Sequence, residues 1–115
     1  MENKANSDKN LLVAQTILEQ LGGNQLLTMM IGAKLYRYNQ KDVGFRYMKA
    51  ERNNSNHIQI QLMESDLYKL EFWNIRGINC KVVETVEGVY AENLAEVFQR
   101  STGLTLSIPK LTNKF

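Results

Sequence analysis

Three residue types that often mark a site are almost missing from this chain, which has one cysteine, one histidine and one proline in 115 residues. A lone Cys80 cannot close an internal disulfide and fits a reducing compartment. With His57 it makes two ligands, short of the four of a structural zinc site. A nucleophilic cysteine–histidine pair would need the same two residues, which the layout below sets two strands apart. No glycine-rich loop of the GxxxxGK kind precedes a helix, so no phosphate loop is present. Carboxylate pairs are scarce as well. Glu84 and Glu87 lie near a strand end, and Glu92 and Glu96 sit one turn apart on a solvated helix face, where like charges repel slightly. The expectation is a protein that is not an enzyme and has no metal or cofactor.

Charge of one sign is missing too. The 14 basic and 12 acidic residues leave a net charge of +2, which neither demands nor excludes nucleic acid. No apolar run approaches the length that crosses a bilayer, and the first ten residues lack the apolar stretch of a secretory signal. The expected address is the cytoplasm of whatever cell makes the protein, without membrane association. The length suits one domain over 1–115, with a disordered tail at 1–7 and a loose one at 109–115.

What the chain does have is alternation. Val43, Phe45 and Tyr47, then Ile58, Ile60 and Leu62, then Tyr68, Leu70 and Phe72 place an apolar residue at every second position. Side chains alternate faces along a strand, so each run has one oily and one wet face. Three such runs in order predict an antiparallel meander. Ala33–Tyr38 adds a strand with Leu35 on one face, joined through the turn Asn39-Gln40-Lys41-Asp42. Arg76-Gly77 breaks the pattern, and Lys81–Val86 adds an edge strand.

Helices are expected at both ends. Leu11, Ala14, Ile17, Leu18 and Leu21 recur at helical spacing, and Gly22-Gly23 stops that run. Asn24 is placed to cap a shorter helix over Gln25–Ile31, although the same residues also fit a buried strand. The clearest helix runs from Tyr90 to Ser101, with Tyr90, Leu94, Val97 and Phe98 as its apolar stripe and Gly103 as its stop. Leu104, Leu106 and Ile108 alternate before Pro109. The fold class is α+β: a four- or five-stranded antiparallel sheet covered on one face by N- and C-terminal helices.

The uncovered face carries the functional expectation. Arg46 and Met48, His57, Gln59, Gln61 and Met63, and Lys69, Glu71 and Trp73 point outward. Basic, amide and aromatic side chains on a sheet are the equipment that stacks bases and holds phosphates. The candidate nucleic-acid-binding residues are Lys34, Arg37, Arg46, Lys49, Arg52, Lys69 and Trp73. The plain alternative is an ordinary solvent face, with Trp73 packed beneath the segment from Leu104 to Ile108. A further alternative is recognition of a host protein through Tyr36, Tyr38, Tyr47, Trp73, Met48 and Met63, the composition of interface centres. An unpaired sheet edge would also permit a homodimer.

TILEQLGGN (Thr16–Asn24), GAK (Gly32–Lys34) and EGVYAENLAEVFQRSTGL (Glu87–Leu104) resemble a family of small proteins common in bacteriophages, prophages and other mobile elements. The likeness runs from about Thr16 to Ile108. The chain departs from the family pattern at Met30-Ile31, where Met-Thr is usual, and at Leu104-Thr105-Leu106, where Leu-Tyr-Thr is usual. That family has no established activity, so the resemblance carries no site residue across. It implies a setting: an accessory protein working inside a bacterium, on nucleic acid or on host machinery.

Overall fold

The computed structural model of the chain describes residues 12–106. The expectations for Leu11, Ile108, Pro109 and the two end segments lie outside that range. The alternating runs become the centre of a five-stranded antiparallel sheet in the order β1-β2-β3-β4-β5. Its strands are β1 Lys34–Tyr38, β2 Asp42–Arg46, β3 His57–Leu62, β4 Tyr68–Arg76 and β5 Asn79–Val89. Val43 faces Ile60 and Phe45 faces Ile58 across β2 and β3; Ile58 faces Phe72 and Ile60 faces Leu70 across β3 and β4. All six are fully buried. A one-residue slip would turn every one of them to water, which is what fixes this register.

Three helices, α1 over 12–20, α2 Asn24–Ile31 and α3 Leu94–Thr102, accompany the sheet in an α+β fold. Ala14, Ile17 and Leu18 of α1, Leu27 and Ile31 of α2, and Leu94, Val97 and Phe98 of α3 join the inner strand residues in one buried cluster. Rings run through that cluster from Tyr36 to Phe45, Tyr47, Phe98 and Phe72, with centroids 5.4, 6.1, 5.2 and 6.2 Å apart. These spacings suit tilted and edge-to-face aromatic contact.

The helix-or-strand ambiguity over 24–31 resolves to helix. Its cap differs from expectation: Asn24 is already helical, Gly23 occupies the cap position, and no side chain caps the first turn. Gly22 and Gly23 both have positive φ, so the chain has turned before it reaches Asn24. Tyr90 also departs from its expected role. β5 starts at Asn79 and continues to Val89, which pairs with Tyr68. Tyr90 therefore stays extended and 58 % exposed, and a 3-10 turn over Ala91–Asn93 leads into α3. Leu106 closes the core from beyond α3, its N–H donating to Gln99 Oε1 at 2.7 Å.

The segment after β2 is pinned by an oriented chain of hydrogen bonds. Asn53 Nδ2 donates to Glu84 Oε1 at 2.9 Å, which leaves Asn53 Oδ1 to accept from Ser55 Oγ at 2.7 Å. The Ser55 hydroxyl has one proton, so Tyr47 must be the donor in the 2.6 Å Tyr47–Ser55 bond. Ser101 Oγ of α3 donates to the other Glu84 oxygen at 3.2 Å. The chain ends on a carboxylate that ties β5, this loop and α3 together. Burial pushes the Tyr47 hydroxyl well above its ordinary pKa, so it remains a donor.

Candidate nucleic-acid interface

The face of the sheet turned away from the buried cluster is organised in rows, because paired residues on antiparallel strands point the same way. One row reads Lys34, Arg46, His57, Trp73 and Val82 from β1 to β5. The next reads Arg37, Gly44, Gln59, Glu71 and Thr85. Across these rows, and on toward the β4–β5 hairpin, lies a groove of about 440 Å³, lined by Arg37, Arg46, His57, Gln59, Trp73, Ile75 and Cys80, with Leu35 and Tyr36 at its β1 side. That volume is in the range of small-ligand sites, roughly 300–1,000 Å³.

Three local features make the groove. Gly44 lies buried mid-strand in β2, and a Cβ there would run into Gln59 Oε1 and come within 3.2 Å of His57 Nε2. The missing side chain lets both groups lie down over β2. A glycine within an otherwise alternating strand is the signature of such an approach. On β1, the register shifts between Lys34 and Arg37, and Leu35 takes φ 56 with 63 % of its surface exposed. Left-handed backbone costs a non-glycine residue on the order of 1–2 kcal/mol. Leu35 is thus neither a core nor an ordinary strand residue, contrary to its expected place. The bulge re-aims it as an apolar lip. On β4, the Asn56 side chain accepts from Ile75 N–H and donates to Ile75 C=O, both at 2.9 Å, and Asn56 N–H donates to Trp73 C=O at 2.8 Å. These bonds extend the β3–β4 ladder and hold the Trp73–Ile75 wall.

His57 is the electrostatic centre. Burial pushes its pKa below the ordinary histidine value, and Arg46 and Arg37 push it further the same way, against an opposing contact with Gln59. That contact, Nε2 to Gln59 Oε1, is 3.4 Å long. The ring is therefore neutral near pH 7, with two guanidinium groups on its β1–β2 side.

The seven predicted site residues separate into groups. Arg37, Arg46 and Trp73 come together in the groove. Lys34 shares the row of Arg46 and Trp73, as the register partner of Arg46. Lys69 lies on the same face nearer the other end of β4, its Nζ 3.5 Å from Glu71 Oε2, so its charge is already partnered. Lys49 is exposed in the loop after β2 and does not line the groove. Arg52 lies apart from them: its Nη1 donates to Arg100 C=O at 2.7 Å and its side chain lies against Gly103. It serves the C-terminus of α3, where a cation complements the free carbonyls. Trp73 does not lie under the segment after α3, since Leu104 and Leu106 pack into the core on the other face. Nor do the aromatic residues make one exposed patch, because Tyr47 is buried and Tyr36 stacks on Phe45.

Sequence reasoning set His57 and Gln59 on this face without including them among the binding residues, and it gave no role to Gly44 or Asn56. The signal for Gly44 was present: a glycine between Val43 and Phe45 interrupts the wet side of a strand. Among the described residues no cluster of three or more metal-ligating side chains occurs, and no helix is long and apolar enough to cross a membrane. Comparison of the chain with protein-family models, curated proteins and solved structures finds no match.

Proposed function

We propose that the protein is a non-enzymatic accessory protein that binds single-stranded nucleic acid along the outer face of its sheet. The observation that carries this reading is the groove itself, where Arg37 and Arg46 stand across from Trp73 with neutral His57 and Gln59 between them. An indole beside cationic groups supplies the two things a flexible strand needs, a stacking surface and phosphate contacts. Gln59 adds an amide able to meet a base edge. The setting suggested by the terminal motifs, a phage or mobile-element protein inside a bacterium, suits such an activity.

Fluorescence anisotropy with labelled oligothymidylate and a matched RNA tests it. Two phosphate contacts, one for each groove arginine, correspond to a slope of about −1.4 for log affinity against log salt on a single strand. Trp73→Ala is expected to weaken binding by about 1–3 kcal/mol, and Arg46→Ala to flatten the salt slope. No signal at low salt with either probe rejects the proposal.

A second reading, an adaptor or inhibitor acting on a host protein, is favoured by one observation. Ile78 at the tip of the β4–β5 hairpin is 97 % exposed, beside the outer edge of β5, which pairs with no other strand among the described residues. The register shifts along β5 and its Lys81 and Glu87 blunt that edge against strand addition, including addition of a second copy. The tip, rather than the edge, is then the contact. Ile78→Ser would abolish capture of such a protein and leave oligonucleotide binding unchanged; retained capture would remove this reading.

A further inference from the structure

Resting on the nucleic-acid reading, we infer that the groove takes a phosphodiester between Arg37 and Arg46 and that His57 accepts a proton as it binds, gripping the strand more tightly in mildly acidic solution.

The argument starts from what surrounds the ring. Arg46 on β2 is its direct register partner, Arg37 and Lys34 approach from β1, and Trp73 flanks it on β4. Of the carboxylates on this face, Glu71 of β4 sits one row away and is engaged by Lys69 at 3.5 Å, and Asp42 of β2 lies a further row off, opposite Gln61. Cys80 of β5 completes the lining. In the protein alone a third cation at His57 would face two guanidinium groups in a half-buried place, with only a long 3.4 Å contact to Gln59 Oε1 in its favour. The neutral ring is preferred for that reason. A phosphodiester seated between the arginines reverses the sign of the local field. The missing Cβ at Gly44 lets His57 Nε2 lie over β2 with only the 3.4 Å contact to Gln59 Oε1, a weak bond that a ring N–H can exchange for one to a phosphate oxygen.

The balance is simple: one proton passes from solvent to the free ring nitrogen, no covalent bond changes, and the proton leaves with the ligand. The sign follows from linkage. Binding raises the histidine pKa from its depressed value, so the bound state holds more protons between the two values. Affinity must therefore rise as pH falls through that interval, by at most about tenfold per pH unit for one proton.

The test uses the full chain and an oligothymidylate without terminal phosphates, since a phosphate monoester titrates near pH 6 and would confuse the result. Anisotropy titrations from about pH 8 to about pH 5.5 span the histidine range. Calorimetry in two buffers of different ionisation enthalpy counts the proton directly. The expected result is tighter binding at low pH, a fractional proton uptake near neutrality, and loss of both in His57→Gln. Because the chain has a single histidine, one imidazole NMR resonance reports its titration in the unmodified protein, free and bound. Its midpoint should move up on binding, a readout that does not depend on the variant folding. Binding that is flat with pH, or an unchanged slope in His57→Gln, overturns the inference and leaves the nucleic-acid reading standing. No binding at any pH overturns both.

Discussion

The two faces of this sheet are built from the same strands and obey opposite rules. On the helix-covered face, Val43, Phe45, Ile58, Ile60, Leu70 and Phe72 interlock with Phe98 and Leu94 in a filled interior. On the other face a glycine, a left-handed leucine and a neutral histidine hold a groove open. The first arrangement maximises buried apolar area, worth about 25 cal/mol per Å². The second carries strain at Leu35 and cationic crowding around His57, features that add nothing to stability and that tend to collect at functional sites. Two faces so different imply that substitutions should also divide: inner ones change whether the protein folds, outer ones change what it holds.

The largest expected effect lies inside. Ile60→Asp places a carboxylate in the centre of β3, fully buried among apolar neighbours. Several kcal/mol of desolvation set against a typical stability of 5–15 kcal/mol should abolish folding. Circular dichroism and a thermal melt check it, and a folded variant with an unchanged melt would break the register on which both faces depend.

Gly44→Ala is expected to act in the opposite sense. Alanine at a β-region position loses less conformational freedom on folding than glycine, so stability should move by less than about 1 kcal/mol. The new methyl displaces the end of the flexible Gln59 side chain and crowds His57. Loss of one hydrogen-bonding group predicts oligonucleotide binding weakened roughly two- to tenfold. A stable variant that binds normally would show that the groove floor is irrelevant to the ligand; an unfolded one would show that the two faces are not separable.

The inner face was legible because burial imposes a period-two pattern that no loop can imitate over three consecutive runs. The outer face was legible only in composition. Which cations converge depends on the bulge at Leu35, and nothing in Lys34-Leu35-Tyr36-Arg37 distinguishes a bulged strand from a regular one. Tyr90 was misplaced for a related reason: it sits at helical spacing from Leu94, but pairing of Val89 with Tyr68 keeps the chain in the sheet one residue before it. The proximity of His57 to both Arg37 and Arg46 likewise follows from cross-strand register, which a single chain read in order does not display.

Arg52 gives the smallest effect and the sharpest division between the faces. It was grouped with the phosphate-binding cations on charge and loop position, yet the loop is carried to the helix side by the Tyr47–Ser55–Asn53–Glu84 chain. There its guanidinium meets the Arg100 carbonyl at the end of α3, next to a C-cap glycine at φ 79. A cation at a helix C-terminus contributes about 0.3–1 kcal/mol at an exposed site. Arg52→Ala should therefore lower the midpoint of denaturant unfolding slightly while leaving oligonucleotide affinity and its salt slope untouched. Arg46→Ala should do the reverse. If Arg52→Ala instead flattened the salt slope, phosphate would be reaching the helix side, and the assignment of binding to one face would fall.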